Sequence, residues 1–239
     1  MRKWKRKPKE TIMAQHQQQH QSGGGSHEAS TSFQLRGTHL YLMLDDTVES
    51  PTGLDDILKY LNFIATSEQL VESVFVKGGM SRNVRRISED TAIAVFRALS
   101  TCLPHITRLE VSGDGRFGGL YLPVKAMTAA LQQSCRNQLT NLRMGHVILT
   151  TSSAATAAAK NADMQALAMA LQKLPKLTSV DLVRCRSEEL AANITLGPLV
   201  QAIAAMPHLQ QAMFCETVIS ARTGLYLGEL CKSTSIQKL

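Results

Sequence analysis

No stretch of the 239-residue sequence approaches the roughly 18 uninterrupted apolar residues that a membrane-spanning helix needs, so no transmembrane segment is expected. The basic beginning runs into Glu10 and a tract of Gln and His, with no apolar h-region behind it, which argues against secretion by a signal peptide. Cysteines are few. The five, at 102, 135, 185, 215 and 231, form an odd set without a CxxC pair and read as buried thiols in a reducing, cytoplasmic compartment. No GxSxG elbow offers a catalytic serine. The remaining His and Cys are spaced without the clustering that catalysis would need, so neither an enzyme nor a bound metal or cofactor is expected.

An excess of one charge is also missing from most of the chain. The formal net charge is +7, but six of the 26 Lys and Arg (Arg2, Lys3, Lys5, Arg6, Lys7 and Lys9) fall in the first nine residues. The other 20 face 19 Asp and Glu, a net of +1, so the body lacks the broad basic field of a nucleic-acid binder. Residues 1–35 continue from the lysine cluster into Gln15 to Gln21 interleaved with His, then Ser22, Gly23 to Gly25 and Ser26. With no period that would bury a face, this tail is expected to be disordered. His16, His20 and His27 read as part of that polar tract, since flexible His residues hold metals weakly without supporting groups. The cluster Arg2 to Lys9, with Trp4 inside it, has the composition of a nuclear-import signal or of a patch for acidic lipid or nucleic acid, as well as that of a solubilising terminus.

What the body does have is a repeat. Apolar residues at positions 1, 4 and 6 recur as Val71, Val74, Val76; Ile106, Leu109, Val111; Leu139, Leu142, Met144; Leu177, Val180, Leu182; and Leu209, Ala212, Phe214. A degenerate earlier copy is Gly37, Leu40, Leu42, and a last one begins at Ile236 and Leu239. Alternation over so short a span predicts a strand with one buried face. Before each strand runs an amphipathic helical stretch, such as Leu54, Ile57, Leu58, Leu61 and Ile64, or Met164, Leu167, Leu171 and Leu174. Ala98-Leu99, Ala130-Leu131, Ala170-Leu171 and Ala202-Ile203 close those stretches, and Pro104, Pro175 and Pro207 follow, where a helix has to stop. Ser88 before Glu89 and Asp90 has the pattern of an N-cap.

The unit of strand, variable loop, helix and return resembles the leucine-rich repeat proteins of the ribonuclease-inhibitor type over residues 37 to 239. Ala170, Leu171, Leu174, Pro175, Leu177, Val180 and Leu182 carry the likeness most fully, and Cys185 stands where that family places Asn or Cys to satisfy turn backbone groups. The equivalent places hold Asp114, Val147 and Thr217, and most repeats exceed the family's length. The excess reads as insertions between strand and helix, notably Thr150 to Ala159. The resemblance implies an α/β solenoid over residues 36–239, a horseshoe with short parallel strands on the concave face, helices on the convex face and five to six repeats. Because Leu239 falls inside a strand pattern, the solenoid is expected to be uncapped or truncated there and open to self-association through that edge.

Residues between the buried positions of each strand face the other side. The third position gives Ser73, Arg108, Asn141, Ser179, Gln211 and Lys238; the fifth gives Phe75, Glu110, Arg143, Asp181 and Met213. With strands about 4.8 Å apart, Glu110, Arg143 and Asp181 are expected to form a ladder of alternating sign flanked by apolar Phe75 and Met213. Phe75, Arg108, Glu110, Asn141, Arg143, Asp181, Gln211 and Met213 are therefore the candidate partner-binding residues. The segment Gly113 to Gly119 has GxGxxG spacing after a strand. Leu120 to Pro123 separate it from the next helix, for which Pro123 reads as the first residue, and Gln133 stands where a ribose-binding acid would be needed, so it reads as a flexible loop. Arg82, Arg85, Arg86, Arg184 and Arg186 fall on loops of one rim. The function expected is non-enzymatic binding of a protein partner through the concave face and its loops, with no small-molecule substrate. The alternative, by analogy with Ran GTPase-activating proteins of the same repeat class, is regulation of a small GTPase, for which Asn141 and the rim arginines are suitable residue types.

Overall fold

The computed structural model describes residues 33–44, 48, 50–67, 69–78, 87–117, 119–132, 137–151, 156–188, 196–217 and 228. The last repeat's Ile236, Lys238 and Leu239, the rim residues Arg82, Arg85 and Arg86, Cys135, Cys231 and the tail up to residue 32 lie outside them.

Positions 4 and 6 of the repeat become the buried side of one seven-stranded sheet: β1 (Phe33–Arg36), β2 (His39–Leu44), β3 (Ser73–Gly78), β4 (Arg108–Gly113), β6 (Asn141–Gly145), β8 (Ser179–Val183) and β10 (Gln211–Cys215), hydrogen-bonded in that order. From β2 onward every pairing is parallel, and the register aligns the repeats residue for residue. Leu40, Val74, Leu109, Leu142, Val180 and Ala212 form one buried row; Leu42, Val76, Val111, Met144 and Leu182 form the next. Each Leu, Val or Met in these rows contributes roughly 1.5–3 kcal/mol by leaving water.

Five α-helices among the described residues supply the other wall of the core: α1 (Pro51–Thr66), α2 (Glu89–Cys102), α3 (Val124–Gln132), α4 (Ala157–Gln172) and α5 (Gly197–Ala204). Successive helices pack side by side. Ile57 and Leu61 of α1, Phe96 and Leu99 of α2, Met164 and Leu171 of α4 and Leu199 and Ile203 of α5 join the strand rows in one apolar cluster. The side chains of Ser50, Ser88 and Thr156 cap α1, α2 and α4 by accepting from the amides of Gly53, Thr91 and Ala159. A threonine column ties repeat to repeat at the strand starts: Thr107, Thr140 and Thr178 donate their hydroxyls to the carbonyls of Glu72, Thr107 and Thr140.

Three expectations are corrected. Residues 33–35, assigned to the tail, belong to β1, which pairs antiparallel with β2 through a two-residue turn where Gly37 adopts φ +60°. The extra length of the repeats falls between strand and helix, as expected, yet forms not loop alone but a second, three-stranded parallel sheet of β5 (Leu120–Pro123), β7 (Val147–Thr150) and β9 (Arg186–Ser187). Its strands touch β4 and the neighbouring helices, so Leu120, Leu122, Val147, Ile148 and Leu149 are buried. Pro123 accordingly ends β5, and α3 begins at Val124.

Candidate functional site

The helices and the small sheet cover one side of the main sheet, and the alternate residues of its strands project from the other. Register places Tyr41, Phe75, Glu110, Arg143, Asp181 and Met213 in a single row, with His39, Ser73, Arg108, Asn141, Ser179 and Gln211 beside it. All eight candidate residues therefore lie on one face. Arg108 and Asn141 are exposed, and Phe75, Glu110, Arg143, Asp181, Gln211 and Met213 are partly covered.

The alternating ladder is in register, but its ion pairs run elsewhere. Arg108 Nη2 reaches Glu110 Oε2 at 2.9 Å on its own strand, two residues along and on the same face. Its guanidinium also stands 5.3 Å from the centre of the Phe75 ring, which holds it within reach of that carboxylate. At the other end Gln211 Nε2 donates to Asp181 Oδ1 at 3.3 Å. Arg143, between Glu110 and Asp181 in the row, forms no ion pair with either. Among the described residues it has no ion pair, although it stands between two carboxylates at the centre of the face.

The aromatic part of the face extends further than the strand pattern indicated. Tyr41 stacks on Phe75 with centroids 4.9 Å apart and planes 12° apart, and His39 meets Phe75 edge-on at 5.9 Å. Arg36 closes the far side, 5.8 Å from the Tyr41 centroid. These residues escaped the sequence reading because Gly37 made the first repeat look degenerate. The alternation His39, Leu40, Tyr41, Leu42, Met43, Leu44 was the signal that could have placed Tyr41 on the open face.

At the strand ends the turns form a second surface. His146, Arg184 and Glu216 occupy equivalent left-handed positions, with φ of 53°, 53° and 48°. The His146 and Arg184 amides donate at 2.7 Å to the carbonyls of Val183 and Cys215 in the following strand. Arg184 grips Glu216 with two bonds, Nε to Oε2 at 2.7 Å and Nη2 to Oε1 at 2.9 Å, and this pairing holds the Glu216 carboxyl below its usual range. The rim arginine considered for a GTPase regulator is thus engaged within the chain, whereas Arg186 is exposed on β9.

In the glycine-rich segment, read from the sequence as a flexible loop, Gly113 ends β4 and Gly115–Phe117 form a 3-10 turn. Asp114 accepts from the Arg116 amide at 2.9 Å and from its guanidinium at 2.8 Å, which lowers the Asp114 pKa. Gly115 lies against the His146 ring. The whole of β5 intervenes before α3, so no helix N-terminus faces this loop as a pyrophosphate site would require. Lys77, Gly78, Ser112, Gly113, Asp114, Gly115 and His146 surround a cavity of about 270 Å³. No group of three or more His, Cys, Asp or Glu among the described residues has the arrangement of a metal site.

Cys185 and Thr217 share the task foreseen for Cys185 alone. The buried Cys185 thiol donates to the Met144 carbonyl at 3.2 Å, and the Thr217 hydroxyl donates to the Leu182 carbonyl at 2.7 Å. Burial pushes the Cys185 thiol up to about 11.

No family model matches the chain, and no curated protein does. Among solved structures, the tropomodulin C-terminal domain of Caenorhabditis elegans is similar over 75% of this chain and 91% of that one, at 13% identity and a TM-score of 0.40. No helix among the described residues is long and apolar enough to cross a membrane.

Proposed function

We propose that the protein is a non-enzymatic binding module built from leucine-rich-type repeats, and that its open sheet face takes a protein partner. The observation carrying this reading is Arg143: a charged side chain left without an ion pair at the middle of a register-aligned row whose ends are apolar. A solvated face with no partner gains nothing by leaving the cation between two carboxylates that bind other groups. A row with arginine at its centre and aromatic and methionine side chains at its ends has the composition of a recognition surface. The exposed Cys215 and half-buried Cys102, both free thiols, suit a reducing cytoplasmic setting.

The test is affinity capture from native lysate with the full chain, comparing wild type with the Arg143→Glu, Asp181→Lys double variant and identifying bound proteins by mass spectrometry. A partner held by the first and lost by the second supports the reading, provided the far-ultraviolet circular dichroism is unchanged. Identical sets of bound proteins would remove the open face as the working surface.

A further inference from the structure

The end of the open face formed by β1 to β4 differs in kind from the rest. Arg36, Tyr41, Phe75 and Arg108 form a continuous stack across four strands, guanidinium, ring, ring, guanidinium, with successive centres 5.8, 4.9 and 5.3 Å apart. The inner ring faces cover one another and the outer faces are covered by cations. What the stack turns toward a ligand is therefore ring edges, which carry the positive part of the aromatic quadrupole, and guanidinium N–H groups.

Charge around the stack is mostly positive. Of its two guanidinium groups, Arg108 is paired with Glu110, and Arg36 has no ion pair among the described residues. Lys77, exposed on β3, has none either, and Arg143 adds a third unpaired cation two strands from Phe75. Beside the stack, Phe33, Gln34, Arg36, Tyr41, Met43 and Lys77 line a shallow hollow of about 240 Å³, with a cation at Arg36 and another at Lys77. Phe33, Tyr41 and Met43 supply its apolar lining, and the acidic side chain nearest in the row, Glu110, already has a partner.

Building on the proposed role of the open face, we propose that its β1–β4 end binds an acidic segment of the partner protein, with carboxylates held by Arg36 and Lys77 and, on the next strand β6, by Arg143. Aliphatic parts of that segment rest in the hollow against Tyr41 and Met43. A single-stranded nucleic acid, the other polyanion to consider, would need open ring faces for its bases. Tyr41 and Phe75 do not offer them.

The experiment is fluorescence polarisation of the full chain with a fluorescein-labelled oligoglutamate, with oligolysine and oligouridylate as parallel probes. Each is measured on wild type and on the Arg36→Glu, Lys77→Glu double variant; both substituted residues are exposed, and the variant keeps the basic cluster Arg2 to Lys9. The expected result is oligoglutamate binding that weakens with salt, exceeds that of both other probes, and falls by about tenfold or more in the variant, as attraction at two exposed charges becomes repulsion. Affinity unaltered by the substitutions would assign the binding to the terminal cluster and overturn the proposal. So would oligolysine binding as tightly, or oligouridylate binding more tightly and being lost in the same variant. If oligoglutamate fails while the Arg143 and Asp181 substitutions still cost capture of a partner, the face binds protein but not through acid; if both fail, the reading beneath this one falls as well.

Discussion

The Cys185 thiol lies 3.2 Å from the carbonyl oxygen of Met144, one strand away in the main sheet, and donates to it from a fully buried position. The neighbouring repeat makes the same link with Thr217 and Leu182 at 2.7 Å. A short donor at this turn reaches a strand carbonyl of the adjacent repeat, a bond that contributes about 0.5–1.5 kcal/mol.

That position governs thiol chemistry. Alkylation at pH 8 should modify the exposed Cys215 in the folded protein and reach Cys185 only in denaturant. Peptide mapping after iodoacetamide treatment checks this; labelling of Cys185 at the Cys215 rate under native conditions would contradict its burial.

Stability at high pH follows from the same residue. The folded state keeps the Cys185 proton up to about pH 11, whereas the unfolded chain releases it near the ordinary thiol value. Between those values the unfolded chain binds fewer protons, so the contribution is complete below the unfolded pKa and is lost as pH rises toward 11. The loss is on the order of 2 kcal/mol. Urea unfolding of wild type and Cys185→Ser at pH 8 and pH 10.5 should show the wild type losing more, since a serine hydroxyl does not titrate there.

Two glycines of the same region should respond in opposite ways. A Cβ on Gly113 would fall on the backbone at Leu120, and within 2.6 Å of the His146 carbonyl oxygen, so Gly113→Ala forces backbone to move. The expected cost is about 2–4 kcal/mol. A Cβ on Gly145 meets only the Ser112 Cβ at 3.7 Å, an ordinary contact, and Gly145→Ala should stay within about 1 kcal/mol of wild type. Chemical denaturation midpoints separate the two.

Leu142 and Arg143 are adjacent in sequence and on opposite sides of the sheet. Leu142→Ala should cost about 2–5 kcal/mol by opening a cavity in the core. Arg143→Ala should change stability by about 0.5 kcal/mol or less while weakening partner capture. A large loss of stability in Arg143→Ala would mean that the side chain serves the fold and not a ligand.

Much of this was legible in the sequence because burial at positions 4 and 6 has one physical cause in every repeat. The apolar rows fixed the register, and the register carried Phe75, Glu110, Arg143, Asp181 and Met213 to a common face without any contact being known. Side-chain pairing was not legible: Arg108 selects Glu110 over its neighbours because its long side chain is steered by the Phe75 ring. The second sheet escaped for a different reason. Leu120 to Leu122 and Val147 to Leu149 are short apolar runs without alternation in the sequence, the second buried on both faces, and such runs do not distinguish strand from loop or helix. The hydroxyls of Thr107, Thr140 and Thr178 were in plain view at one repeat position, but a polar residue between apolar ones gives no sign of which carbonyl it will reach.

The uniform parallel register has a consequence for the proposed recognition row. Tyr41, Phe75, Glu110, Arg143, Asp181 and Met213 are neighbours in space, and each stands more than thirty residues from the next along the chain. The row is discontinuous in sequence, so no short peptide cut from this sequence can reproduce or compete with it. Any antibody or ligand specific for the row would report that the sheet is assembled.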